Sequence, residues 1–105
     1  MAKFTLASSA EADLDEIWHY ISEHSEDAAA KFIRDLVAKF ELLADNKEIG
    51  KRQDDFIVEM RMFPFKNYNI YYFPTEDGGV EIYRILHGRR NIEDLFEDYF
   101  EGLKE

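Results

Sequence analysis

Arg61-Met62-Phe63-Pro64-Phe65-Lys66-Asn67-Tyr68-Asn69-Ile70-Tyr71-Tyr72-Phe73, answered across Asp77-Gly78-Gly79 by Val80-Glu81-Ile82-Tyr83-Arg84-Ile85-Leu86-His87-Gly88-Arg89-Arg90, is the stretch that decides the fold. Aromatic and β-branched residues fill both runs, and Thr75 to Gly79 supplies the positive-φ positions of a tight reversal. A hairpin ending in an arginine pair follows. Upstream, Phe56-Ile57-Val58-Glu59-Met60-Arg61-Met62-Phe63 reads as a further strand that Pro64 ends, and Pro74 closes the next one in the same way, because proline cannot donate to a ladder. The three runs predict an antiparallel meander with one face to be covered.

The cover lies earlier in the chain. Lys3 to Ala7 alternates polar and apolar, which predicts a short strand with Phe4 and Leu6 on one face. Ser8 followed by Glu11 fits a capping box, and Glu11, Asp13 and Asp15 suit the positive end of the helix it would start. Ala10, Leu14, Ile17, Trp18 and Ile21 then share a helical face, with acids opposite. Ser25-Glu26-Asp27 offers a second cap, and Ala29, Phe32, Ile33, Leu36, Phe40 and Leu43 carry a second apolar stripe to about Asn46. So short a link predicts an antiparallel helix hairpin laid on the sheet. Ile92, Leu95, Phe96, Tyr99 and Phe100 at helical spacing after Asn91 predict a short C-terminal helix. The expected fold class is α+β: an N-terminal strand, a helix hairpin on a three- to four-stranded antiparallel sheet, and a terminal helix, in one domain over 1–105.

Composition narrows the function classes. Of 105 residues 46% are hydrophobic, enough for one core, and the net charge is -10. Residues 1–50 hold five basic groups against eleven acidic, residues 51–90 seven against six, and residues 91–105 one against six. A field of that sign opposes phosphate, so direct nucleic-acid binding is not expected. With no cysteine, neither a disulfide nor a thiolate metal site is available, and a reducing cytoplasm is compatible. No apolar run approaches the roughly 18 residues of a membrane span, and no apolar signal segment is read at the N-terminus. His19 and His24 lie five apart, off the i, i+4 spacing that lets two imidazoles share a metal, and no metal or cofactor is expected.

Tyr68-Asn69-Ile70-Tyr71-Tyr72 followed by Ile82-Tyr83-Arg84-Ile85-Leu86-His87-Gly88-Arg89-Arg90 resembles the C-terminal half of the RelE/ParE toxin superfamily, and Leu86-His87-Gly88 looks like its ParE branch. In the RelE branch, which cuts messenger RNA on ribosomes, an arginine follows the tyrosine of the third strand and a tyrosine stands in the C-terminal segment. Here those positions hold Asn69 and Phe96, which have neither the charge nor the hydroxyl that phosphodiester cleavage uses. The resemblance therefore implies a ParE-like plasmid-stabilisation toxin that inhibits DNA gyrase by binding. Its partner would be a ParD-like antitoxin whose C-terminal helix and tail lie across the helix hairpin and sheet.

On that reading Arg61, Arg84, His87, Arg89 and Arg90, with Leu95, Phe96, Tyr99 and Phe100, are the candidate target-binding residues. Leu14, Trp18, Ile21, Phe32, Leu36 and Phe40 are the candidate antitoxin-binding residues. A RelE-like ribosome-dependent nuclease built around Arg61, His87 and Arg89, and a toxin-like protein kept only as a binding module, remain as alternatives. The plainer readings stand beside these. Tyr68, Tyr71, Tyr72 and Tyr83 are ordinary strand-packing residues, Arg61 and Arg84 pair with Glu59 or Glu81 across strands, and the acid runs cover solvated helix faces. Antitoxin tails in this superfamily are typically acidic, so an acidic toxin calls for a basic antitoxin or a mainly apolar contact.

Overall fold

The computed structural model describes residues 3–90 together with 93, 95 and 101. In chain order the elements are β1 (Phe4–Leu6), α1 (Ser8–Ser22), α2 (Glu26–Asp45), β2 (Lys51–Arg52), β3 (Arg61–Phe65), β4 (Tyr68–Pro74) and β5 (Val80–His87). They form a five-stranded sheet in the order β1-β5-β4-β3-β2, antiparallel except where β1 runs parallel to β5. The α+β arrangement, the helix pair and the 61–90 hairpin agree with the sequence pattern. The terminal helix expected over 91–100 falls mostly outside the described residues.

Two caps separate the helices. Ser25 accepts a hydrogen bond from the Ala28 amide at 3.1 Å and starts α2 as its sequence predicts. Ser8 does not cap α1; the cap position is Ala7, without a side-chain hydrogen bond, and Ser8 is already helical. The hydroxyl that matters is the next one, Ser9, which donates to the Tyr83 carbonyl at 2.7 Å and so works for the sheet.

Two strand expectations are corrected. Residues 56–60 are a closed loop: Gln53 donates to the Met60 carbonyl at 2.8 Å, the Asp54 carboxylate accepts from the Glu59 amide at 2.8 Å, and Glu59 takes φ 68. Two aspartates in succession supply the turn chemistry that the apolar run conceals. Pro64, conversely, lies inside β3 opposite Asn69. It is tolerated because β2 pairs only with Arg61 and Met62, leaving β3 as an edge at Pro64.

The sheet is buried on both faces. Ile70, Tyr72, Val80, Ile82 and Ile85 pack with Ala10, Ile17, Leu36, Phe40 and Leu43 of the helices. On the other face Tyr71 and Leu86 pack with Ile57 and Met60 of the 53–60 loop and with Leu95. The sequence pattern does not predict this second core. A register shift creates both faces along β5: Tyr71 pairs with Arg84 but Tyr72 with Ile82, so Tyr83 bulges out and the inward phase moves from even to odd residues.

Close approach fixes the ends of β5. Gly78, at φ 90, turns the chain out of β4, and a side chain on Gly79 would strike the Lys3 carbonyl. That carbonyl accepts from Val80 at 3.1 Å. Beyond β1 the edge of β5 is completed by α1. Ala7 donates to Ile82 at 2.9 Å, Ser9 to Tyr83, and Asp13 accepts from the Ile85 amide at 2.9 Å. Asp13 also receives Arg84 in a fork, Nε to Oδ2 at 2.8 Å and Nη2 to Oδ1 at 3.1 Å. Both residues are buried, at 5% and 8% exposure. Asp13 is thus a core residue, and Arg84 pairs with a helix carboxylate instead of the expected Glu59 or Glu81.

Tyr72 plays a comparable part at the far end. Its hydroxyl accepts from the Gly50 amide and donates to the Lys47 carbonyl, both at 2.9 Å. Arg61 donates to the Glu48 and Gly50 carbonyls at 3.0 and 2.7 Å, so the two residues together hold the turn from α2 to β2.

Removing one member of a buried pair strands the other charge, so Asp13→Ala is expected to cost about 3–5 kcal/mol in urea unfolding, and Asp13→Leu combined with Arg84→Met far less. Equal losses in the two variants would contradict this account. Burial pushes the Tyr72 hydroxyl above its usual value, against hydrogen bonding from Gly50 and the nearby Arg61 charge. The native state therefore favours the neutral phenol, and that contribution is complete below pH about 10 and lost as pH climbs through the raised native value. The urea midpoint should fall above pH about 10, and fall less steeply in Tyr72→Phe.

Candidate functional site

Residues of α1, the start of β4 and the end of β5 line a cleft of about 700 Å³. Tyr68 opens β4 directly opposite His87, the last residue of β5. The turn between β3 and β4 is only Lys66 and Asn67, with Lys66 held at φ 53, and the Asn67 carbonyl accepts from Gly88 at 2.7 Å. That bond sets the direction in which the chain leaves β5, and with it Arg89 and Arg90. The Arg89 amide in turn donates to Nδ1 of His87 at 3.1 Å, which fixes the orientation of the imidazole and leaves Nε2 as its other polar atom.

Aromatic edges build the floor. Phe32 of α2 meets Phe65 and Tyr68 edge-on at 5.4 and 5.7 Å between centroids, and Tyr68 meets His87 at 5.4 Å. Lys66 lies over the Phe32 and Phe65 rings at 5.3 and 5.5 Å. Ile17 and Ile21 complete the apolar wall on the α1 side. Burial, and to a lesser degree Tyr20, push the Tyr68 hydroxyl up, so it remains a neutral donor at physiological pH.

Charge is divided across this floor. Asp13 and Glu16 line the helix side, and His87, Arg89 and Arg90 the strand side. Asp13 is matched by Arg84, so the helix rim presents Glu16. Neither Glu16 nor Arg89 makes an ion pair among the described residues. The arrangement offers a wide apolar trough with a carboxylate on one bank and a guanidinium on the other, suited to a chain segment with both apolar and charged side chains.

The candidate residues named from the sequence divide accordingly. His87, Arg89 and Arg90 come together with Ile21 and Phe32 in the cleft. Arg61 is not with them. It pairs with Tyr72, four residues along the strand from Tyr68, which is roughly 13 Å at ordinary strand rise. Arg84 turns into the buried pair with Asp13. Leu36, Phe40 and Leu95 are fully buried and present no surface. Leu14 packs against the main core, and Trp18, 36% exposed, lies on the margin of the helix stripe. Phe96, Tyr99 and Phe100 lie outside the described residues. Asn69, at the position of the RelE-branch arginine, sits in β4 between Pro64 and Leu86. The sequence reading does not pick out Glu16 and Tyr20 as cleft residues, although Glu16 stands three positions from Asp13 and Tyr20 three from Ile17 on the same helix.

A model of the ParE toxin of type II toxin-antitoxin systems, parDE, matches residues 4–92, from β1 to just beyond the arginine pair. The chain belongs to the ParE toxin family. Among ParE relatives it is 26% identical over 93 residues to Toxin ParE1 of Mycobacterium tuberculosis (strain CDC 1551 / Oshkosh), covering 88% of this chain and 95% of that protein. Toxin ParE1 of Caulobacter vibrioides is 29% identical over 92 residues, covering 87% and 94%. A solved structure of a chromosomal ParDE system from P. aeruginosa superposes with a TM-score of 0.67 over 83% of this chain and 96% of that one, at 22% identity, and shares the ParE fold.

Phe32→Ala should lower stability by roughly 2–3 kcal/mol, short of the about 3–5 of a fully buried ring, because Phe32 is half-buried. Near-ultraviolet dichroism should record the loosened Tyr68 and Phe65 rings. An unchanged urea midpoint and spectrum would mean that these rings do not support one another.

Proposed function

We propose that this ParE-family chain inhibits DNA gyrase by docking on it in the cytoplasm, and that a ParD-like antitoxin neutralises it by covering the cleft between α1 and the end of β5. The observation that carries the reading is the meeting, in one trough, of the apolar residues Ile21 and Phe32 with the polar residues His87, Arg89 and Arg90. A partner seated on the first set necessarily screens the second. Neutralisation then needs no conformational change in the toxin, only occupancy. The reading is one of binding without strand scission of RNA: Asn69 brings an amide where the nuclease branch has a guanidinium, and Arg61 and Arg84 are both engaged in holding the fold.

Purified gyrase supplies the test. Supercoiling is expected to fall, or cleaved DNA to accumulate, as this protein is added, and the combined variant His87→Ala, Arg89→Glu should need about ten times more protein for the same effect. The binding contribution lost would then be about 1.4 kcal/mol. Unaltered supercoiling at large molar excess, or transcript cleavage on translating ribosomes, would reject the proposal.

A further inference from the structure

We infer that the cleft selects its partner segment by charge polarity: it takes an amphipathic peptide that places a lysine or arginine against Glu16 and a carboxylate against Arg89, with apolar side chains between. This rests on the proposed antitoxin reading and specifies the antitoxin's docking segment. The floor supplies affinity through Ile17, Ile21, Phe32 and Tyr68, all in or packed on the main core and so held in place before binding. An apolar floor alone would accept a segment in either direction. The two banks remove that freedom.

Glu16 is exposed on α1 and lines the cleft, one helical turn from the buried Asp13, so the helix bank carries an open carboxylate at this point. Across the trough Arg89 is exposed and follows directly from the Gly88 turn that the Asn67 carbonyl holds. A segment entering with its positive end along α1 meets attraction on both banks, and the reversed segment meets like charge on both. Like charges brought together at an interface suppress the wrong pairing more than they tune the right one. The whole chain, at -10, adds a long-range field that draws in a basic segment. The segment fitted to this toxin is accordingly basic where it faces Glu16, unlike the acidic tail that a basic toxin would attract.

Selection from a displayed library of random twelve-residue peptides on the immobilised full chain tests this directly. Enriched peptides should be amphipathic, with lysine or arginine on one side of the apolar stripe and an acid on the other. Capture of those peptides should drop at least tenfold on Glu16→Lys and on Arg89→Glu, two exposed substitutions, and recover when both are present and the peptide charges are exchanged. Enrichment of acidic peptides, no enrichment, or capture indifferent to both substitutions would overturn the inference. So would a dimer in sedimentation equilibrium that Glu16→Lys dissociates, since a second copy would then fill the trough. Gyrase inhibition by the same preparation reports separately on the toxin reading: if inhibition persists while peptide polarity fails, only the inference falls.

Discussion

The carboxylate of Asp13 accepts three hydrogen bonds, two from the Arg84 guanidinium and one from the Ile85 amide, and most of the molecule's geometry follows from satisfying it. A buried carboxylate is tolerable only when its lone pairs are met, and here they are met entirely by β5. The consequence is a fixed joint between the first helix and the strand that carries the bulge. Because β1 ends at Leu6, the outer edge of β5 beyond Ile82 would otherwise show open backbone groups. Ser9 and Asp13, four residues apart on one helix face, close it in place of a strand. The helix is thereby held at the height where Glu16, Ile17 and Tyr20 overlook the end of the sheet.

The bulge at Tyr83 is the second half of the same arrangement. By shifting the phase of β5 it directs Ile85 to the helices and Leu86 to the 53–60 loop and Leu95, so that one strand contributes to two cores. A β5 in strict alternation would have kept Leu86 in phase with Ile82, on the helix-facing side, and left the second core without it.

Much of the fold was legible because helix periodicity, the Ser25 cap and the Thr75 to Gly79 reversal are local signals, each decided by residues close in sequence. What was illegible depended on distant partners. Asp13 looks like any acid at a helix start until Arg84, 71 residues later, is placed beside it. Ile57 to Met60 has strand composition, but Asp54 captures the Glu59 amide and closes a loop. Pro64 reads as a strand end because its tolerance within β3 depends on the brevity of β2, a separate segment of the chain. His87 and the arginine pair lie together at one end of the sheet because they follow one another in sequence, whereas Arg61 is set at the α2–β2 turn by a strand register that composition does not reveal. Helix stripes alone could not separate Phe32, which looks into the trough, from Leu36 and Phe40, which lie one and two turns deeper in the core.

The outermost strands, β1 and β2, are three and two residues long. The stretch of β3 that β2 leaves uncovered contains Pro64, where an arriving strand would find no amide to accept from. Among the described residues neither border of the sheet is a good template for a further strand, so edge-to-edge pairing between copies is disfavoured in a protein with 46% hydrophobic residues and an exposed apolar trough. The same brevity that lets helix α1 finish the edge of β5 thus also limits what the sheet can recruit.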